Sequence, residues 1–245
     1  MINLHYVPTG NNLKIAIMLH ETGLPYQLVK YSMLAGSHLT PEFRRINPNN
    51  KLPAIVDMDP ADAKGPLSVF ESGAILLYLA EKTSNLISSD FRKRLLTLQW
   101  LTWQVAGLGP MLGQATHFQR YAPEGQDYGR TRYNREALRH IDVMEYRLRE
   151  ADYLAEEFSI ADIACFPWAS GAAGLGISMD DHPAVSAWLE RVKARPSVAA
   201  ATAAIYDEDR KRFMAERVEM TPDEWSNMFG DRMYAAARVA PRAGN

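Results

Sequence analysis

Strand and helix signals alternate through about the first 85 residues of this chain, and then the strand signals stop. That change of pattern confines the fold to a small α/β unit followed by an all-helical one. Ile2 to Tyr6 alternates apolar and polar side chains, the period of a strand. After a turn at Pro8-Thr9-Gly10, residues Leu13, Ile15, Ile17, Met18 and Leu19 make an apolar helix. Gly23, with Pro25 beyond it, stops that helix. Tyr26 to Tyr31 reads as a second strand, and Thr40-Pro41 as the start of a short helix. Residues 53–57 and 67–70 read as two more strands, joined through turn material from Pro60 to Pro66. Ser72 then opens a helix through Lys82. A right-handed crossover makes the first two strands parallel, and the short turn makes the last two antiparallel.

Beyond Asn85, Phe91 to Tyr121 is helical with an interruption expected near Gly107-Leu108-Gly109-Pro110, and Tyr128 to Glu150 is helical again. Ser159-Ile160-Ala161-Asp162 is a capping box with Asp in place of the usual Glu or Gln. The helix it opens is apolar nearly all round, which marks the core of the helical unit. His182-Pro183 and Arg195-Pro196 open two more helices. Three segments are therefore expected: an α/β domain over 1–85, a helical domain over 86–206, and a partly helical extension over 207–245. In the extension, Thr221-Pro222-Asp223-Glu224 starts a helix ending near Gly230, and residues from Ala235 onward are loop-like. The aromatic and Met content of the extension calls for a surface, either the helical domain or the cleft between domains.

Charge and cysteine content narrow the function classes. Among 245 residues, 27 Lys and Arg face 29 Asp and Glu, so nothing favours a nucleic-acid partner. No stretch approaches the roughly 18 apolar residues of a membrane span. No basic n-region precedes an apolar run at the start, so a cytoplasmic protein without a membrane partner is expected. The single cysteine, Cys165, rules out an internal disulfide or a CxxC pair, and lies between Ile163 and Phe166 as a buried hydrophobe. His20-Glu21 lacks the second histidine of a zinc motif, the six histidines do not cluster, and no metal is expected.

The residues at the joints are more specific. Leu52-Pro53 before the third strand, Glu71-Ser72 before the third helix and Ser159-x-x-Asp162 together resemble the glutathione transferase family, with its thioredoxin-like N-terminal domain and all-α C-terminal domain. Thr9-Gly10-Asn11, the run from Ile46 to Asp57, Phe70 to Ile75, and Trp103 with Gly107 to Gln114 look most like the bacterial nu-class, glutathione-dependent disulfide-bond reductases. The resemblance covers residues 1 to about 206.

The resemblance implies bound glutathione as cosubstrate, a homodimer, and a small disulfide or electrophile as partner. It implies that Glu71 and Ser72 grip the γ-glutamyl end, Ser72 also offering the free N–H groups of a helix start. It makes Leu52-Pro53 a cis bond whose leucine backbone pairs with the cysteinyl residue. Thr9 and Asn11 sit where the thiol should lie and can donate hydrogen bonds to a thiolate, although both residue types also cap helices. Tyr6 is the alternative activator. With no Cys or Ser over positions 7–12, a covalent cysteine mechanism is excluded. Asn50 and Lys51 are within reach of the glycyl carboxylate. His38 stands where the class has glutamine, and as a dependable donor it needs protonation near pH 6.5. Arg132 resembles an arginine that reaches across the dimer; solvated roles for His38 and Arg132 fit equally. The second-substrate pocket is expected between the domains, with Trp103, Met111, Gln114, His117, Phe118 and Tyr121 lining it, although such a helical row also suits a core. The expected activity is disulfide reduction or conjugation to an electrophile. The alternatives are a glutathione-dependent lyase or dehalogenase, and a non-enzymatic glutathione-binding regulator.

Overall fold

Strands β1 (Ile2–Tyr6), β2 (Tyr26–Lys30), β3 (Ala54–Asp57) and β4 (Leu67–Phe70) form one mixed sheet in the order β2-β1-β3-β4. The computed structural model describes residues 1–215 and 218–238. β1 runs parallel to β2 and antiparallel to β3, and β3 is antiparallel to β4, as the connection lengths require. Leu4 faces Leu28 on one side and Ile55 on the other, so the centre of the sheet is apolar. Ile2, Leu4, Ala54 and Ile55 are buried there. By their contacts, Met1–Val7, Pro25–Glu71 and the described residues from Glu219 form one unit; Pro8–Leu24 and Ser72–Val218 form the other.

The sheet unit also holds α2 (Pro41–Ile46), where Thr40 Oγ1 accepts from Phe43 N at 3.2 Å and Pro41 fills the first turn. Phe43 is buried with its ring 4.9 Å from that of Tyr31. Two tail helices belong to the same unit, α11 (Pro222–Phe229) and α12 (Asp231–Ala237). α11 begins in the expected place with a full capping box between Thr221 and Glu224. The loop expected from Ala235 is helical as far as Ala237, because three successive alanines extend a helix readily. Residues 239–245 of that expected loop lie outside the described residues.

The helical unit is built on α1 (Gly10–Thr22), α3 (Ser72–Thr83), α4 (Phe91–Trp103), α5 (Gly109–Arg120), α6 (Asp127–Leu148), α7 (Ile160–Ala169), α8 (Pro183–Lys193), α9 (Pro196–Ile205) and α10 (Glu208–Phe213). α1 ends at Gly23 in the left-handed region and packs against α3, α7 and α9. α7 is buried nearly all round. Its capping carboxylate, Asp162, accepts from Ser159 N, Leu154 N and Trp188 Nε1, each at about 3 Å, which ties the helix start to α8. The interruption expected at residues 107–110 is a π turn, Gln104–Leu108, and the helix continues through it. Pro110 has no N–H for the ordinary ladder, and Gly109 N donates five residues back to Gln104 O.

Of the surfaces expected for the extension, the helical unit holds only its beginning. Val218 N donates to Arg120 O at 3.0 Å and Arg120 Nη1 to Phe213 O at 3.0 Å, within the helical unit. α11 and α12 instead bond to residues of the sheet unit: Asn227 Nδ2 to Leu34 O at 2.7 Å, and Arg44 Nη1 to Arg238 O at 2.8 Å.

Candidate functional site

Thr9 is the N-cap of α1 in extended geometry, but its hydroxyl accepts no backbone N–H of the first turn. Capping is therefore not what its side chain does. Thr9 Oγ1 accepts from Asn12 Nδ2 at 2.8 Å, which leaves the hydroxyl proton free to be donated elsewhere. Asn11 is oriented from a distance. Trp168 Nε1, which can only donate, bonds Asn11 Oδ1 at 2.9 Å. The amide NH2 of Asn11 is thereby turned away from Trp168 as a donor. The first turn of α1 carries no acidic residue, so its free N–H groups add to this positive end. Close approach of backbone and α7 explains Gly10: a Cβ there would lie 3.3 Å from Pro167 Cβ.

Ser72 is the first residue of α3 and is half-buried. Its Oγ accepts from Lys14 Nζ at 3.3 Å, and the same ammonium donates to Gln104 Oε1 at 2.8 Å. Lys14 is 1% exposed, and Gln104 equally so. Lys14, Asn12, Gln104 and Trp168 are supporting residues that sequence reasoning missed. The legible signal was Lys14 itself, a lysine inside the apolar run of α1. The other three rest on long-range pairing.

In the sheet unit, Glu71 adopts φ +67°, a region uncommon for a residue with a side chain. The Leu52-Pro53 bond is cis, as the resemblance implies. His38 and Asn50 are buried, and Asn50 Nδ2 donates to His38 O at 2.9 Å. Asn50 Oδ1 and His38 Nδ1 have no hydrogen-bond partner among the described residues. Burial first, and the Lys51 charge second, push His38 down to about 4. His38 is thus neutral at pH 7, which corrects the expectation of a histidine titrating near 6.5. Burial also lowers the Lys51 ammonium, whose Nζ lies 3.1 Å from Met233 Sδ of α12. Tyr6 is buried at the end of β1.

Arg132 lies on the exposed side of α6, 2.9 Å from Glu136. Arg139 and Arg132 together hold the Glu136 carboxyl down at about 2. The expected electrophile-pocket residues share one helix row only in part. Met111, Gln114, His117 and Phe118 are on α5 and Tyr121 caps its C-terminal end, with the His117 ring 6.0 Å from that of Tyr121. Phe118 turns to α6 and stacks on Tyr133 at 5.3 Å, and Trp103 packs 5.4 Å from His140 of α6. A cavity of about 710 Å³ in the helical unit is lined by Leu13, Phe166, Val198, Thr202 and Tyr206, and by none of those six. Cys165 is fully buried, and burial raises its thiol well above the ordinary value, as a structural cysteine requires. No group of three or more His, Cys, Asp or Glu that could hold a metal occurs among the described residues, and no helix there is long and apolar enough to cross a membrane.

Comparison with known proteins agrees with this geometry. Residues 1–81 match the model of the glutathione S-transferase N-terminal domain, and 127–191 that of the C-terminal domain. The disulfide-bond oxidoreductase YfcG of Escherichia coli is 50% identical over 198 residues, 80% of this chain and 92% of that protein. A glutathione transferase from Burkholderia graminis, solved with two glutathione molecules per subunit, superposes with a TM-score of 0.79 at 41% identity, over 83% of this chain and 88% of that one. One from Pseudomonas putida, solved with glutathione disulfide, gives 0.79 at 40%, over 82% and 90%. The fold is that of these enzymes, a thioredoxin-like domain on a four-stranded mixed sheet followed by a helical domain. With both domain models matched and a relative half identical along most of its length, the chain belongs to the glutathione S-transferase family.

Proposed function

We propose that this protein binds glutathione and uses its thiolate to reduce disulfides, as the name of its Escherichia coli relative states for that protein. The observation that carries the reading is the pair of donors at the start of α1: the Thr9 hydroxyl, relieved of capping, and the Asn11 amide held by Trp168. Both would stabilise a thiolate over its thiol.

In this reading Thr9 and Asn11 would take the thiol, Ser72 the γ-glutamyl carboxylate, Leu52-Pro53 the cysteinyl backbone, Glu71 the γ-glutamyl amino group, and Asn50 and Lys51 the glycyl carboxylate. His38, neutral, would contribute a single ring N–H. In the reaction, a glutathione thiolate attacks one sulfur of R–S–S–R′ and releases R′S⁻, leaving the mixed disulfide GS–SR. A second glutathione thiolate attacks the glutathione sulfur of that species, forming glutathione disulfide and releasing RS⁻. Two glutathione molecules are oxidised per disulfide reduced, each leaving thiolate takes a proton, and no protein thiol takes part. The same bound thiolate would attack a carbon electrophile.

The finer assignments belong to this reading: a nu-class, cytoplasmic homodimer, Arg132 reaching its partner subunit, a second substrate held by Met111, Gln114, His117 and Tyr121, and a chain divided near residues 85 and 206. The deciding experiment is steady-state turnover of a small dialkyl disulfide with glutathione, followed by release of glutathione disulfide. Turnover that falls steeply in Thr9→Ala and Asn11→Ala supports it. A wild-type protein that binds no glutathione overturns it.

A further inference from the structure

We propose that Lys14 is a positioning residue, which prepares Ser72 to bind the α-carboxylate of the γ-glutamyl end of glutathione. The inference rests on the functional reading above and deepens it.

Residues Asn12 to Leu19 of α1 are all buried, and Lys14 is the one cation among them. An ammonium in such surroundings is costly unless polar groups replace its water. Here Gln104 Oε1 and Ser72 Oγ do so, at 2.8 and 3.3 Å. The geometry fixes a direction. An ammonium only donates, so Ser72 Oγ is the acceptor in that pair. The serine proton is then available to be donated to another acceptor, and the cation beside the oxygen makes that proton a better donor. A half-buried hydroxyl with its proton left available, at the start of a 12-residue helix with no acid in its first turn, suits an anion.

The support of Lys14 is itself specific. Gln104 is the first residue of the π turn, and its Nε2 has no partner among the described residues. Its amide stands against Gly109, where a Cβ would lie 2.7 Å from Nε2. The glycine leaves room for Gln104 to point its oxygen at Lys14. The charge of Lys14 is felt as far as Cys165, whose thiol it draws down against the larger effect of burial.

The test reads selectivity, which a purely structural lysine would not set. Two probes differ from glutathione only at its γ-glutamyl end: γ-aminobutyryl-cysteinyl-glycine lacks the α-carboxylate, and glutaryl-cysteinyl-glycine lacks the α-amino group. Wild-type protein should prefer glutathione over the first by about tenfold or more in kcat/KM, the scale of one charge-assisted hydrogen bond. In Lys14→Met that preference should collapse towards unity through a raised KM for glutathione, with kcat changed much less. Discrimination against the glutaryl probe should survive. Lys14→Gln, a neutral donor, should fall between the two. Ser72→Ala combined with Lys14→Met should lose no more preference than either alone. A folded Lys14→Met protein that keeps the wild-type preference overturns the inference, whatever its melting temperature. Should that variant not fold, Gln104→Met is read in the same way, because releasing the ammonium from its 2.8 Å anchor should weaken the preference, and an unchanged preference is equally fatal. If the wild type uses no glutathione, the functional reading fails first; if it does and only the preference is insensitive to Lys14, this inference alone fails.

Discussion

Asn227 donates from Nδ2 to the carbonyl of Leu34 at 2.7 Å, across 193 residues of sequence. The amide is 6% exposed and sits over Gly36, whose φ is +68° and where a Cβ would come within 2.8 Å of it. A segment beyond the reach of either domain model is thus fastened to the sheet unit by a part-buried hydrogen bond and a glycine that admits it. Asn227→Ala should cost about 1 kcal/mol by removing a part-buried hydrogen bond. Gly36→Ala should cost more, through both its φ and the clash. Chemical denaturation followed by circular dichroism measures both. Truncation after Val218 should lower stability and free Lys51 from Met233; a truncated protein as stable as the full chain would show that the α11 and α12 contacts contribute nothing.

Thr9 and Asn11, and not Tyr6, should set the acidity of bound glutathione. Removing both donors should raise the thiol pKa, read from thiolate absorbance in the ultraviolet as pH is varied, while Tyr6→Phe should leave it nearly unchanged. Trp168→Phe is the sharper probe, because it keeps an aromatic ring on α7 and removes, with part of the indole, the N–H that orients Asn11. A drop of roughly tenfold in turnover is expected, the scale of one well-placed hydrogen bond. A Tyr6→Phe protein that alone shows the raised pKa would reassign the activator.

Cys165 should be dispensable for chemistry. Exchange between two glutathione sulfurs needs no protein thiol, and this one is fully buried with its thiol pushed up. Cys165→Ala should cost about 1 kcal/mol through a small cavity and leave disulfide turnover in place. Loss of turnover in the folded variant would require a different mechanism.

Histidine 38 gives the sheet unit a defined pH response. Its folded pKa is depressed to about 4, against an ordinary value of 6.5. Between those values the unfolded chain binds a proton that the folded chain does not, so stability falls as pH drops from 6.5 towards 4. His38→Gln removes this contribution, of order 2 kcal/mol at the acid end of the window. Asp162 acts in the opposite sense: burial raises it from 3.8 to about 6, so its own contribution to stability falls as pH rises through that range. Comparing wild type with His38→Gln cancels the Asp162 part. Equal loss of stability on acidification in the two proteins would show that His38 is not buried and neutral.

What the sequence determined by itself was everything governed by neighbours along the chain. Thr40 with Pro41, the Ser159–Asp162 box, Gly23 after α1 and the Thr221–Glu224 box all formed where they were read, because each is a hydrogen bond or a backbone preference spanning a few residues. The jointly placed Leu52-Pro53 and Glu71-Ser72 carried the family in the same way. The tertiary structure decided how those residues are held. In the sequence, Thr9 reads as a helix cap or a thiolate donor; in the structure its hydroxyl accepts the Asn12 side chain and no backbone N–H of the first turn. Asn11 is oriented by Trp168 from 157 residues away, and Lys14 by Gln104 from 90. The pKa of His38 depends on how deeply it is buried and on the cation beside it, and the place of α11 and α12 depends on long-range bonds such as Asn227 to Leu34 and Arg44 to Arg238. Burial and the direction of a shared proton are properties of the packed chain, and no local pattern encodes them.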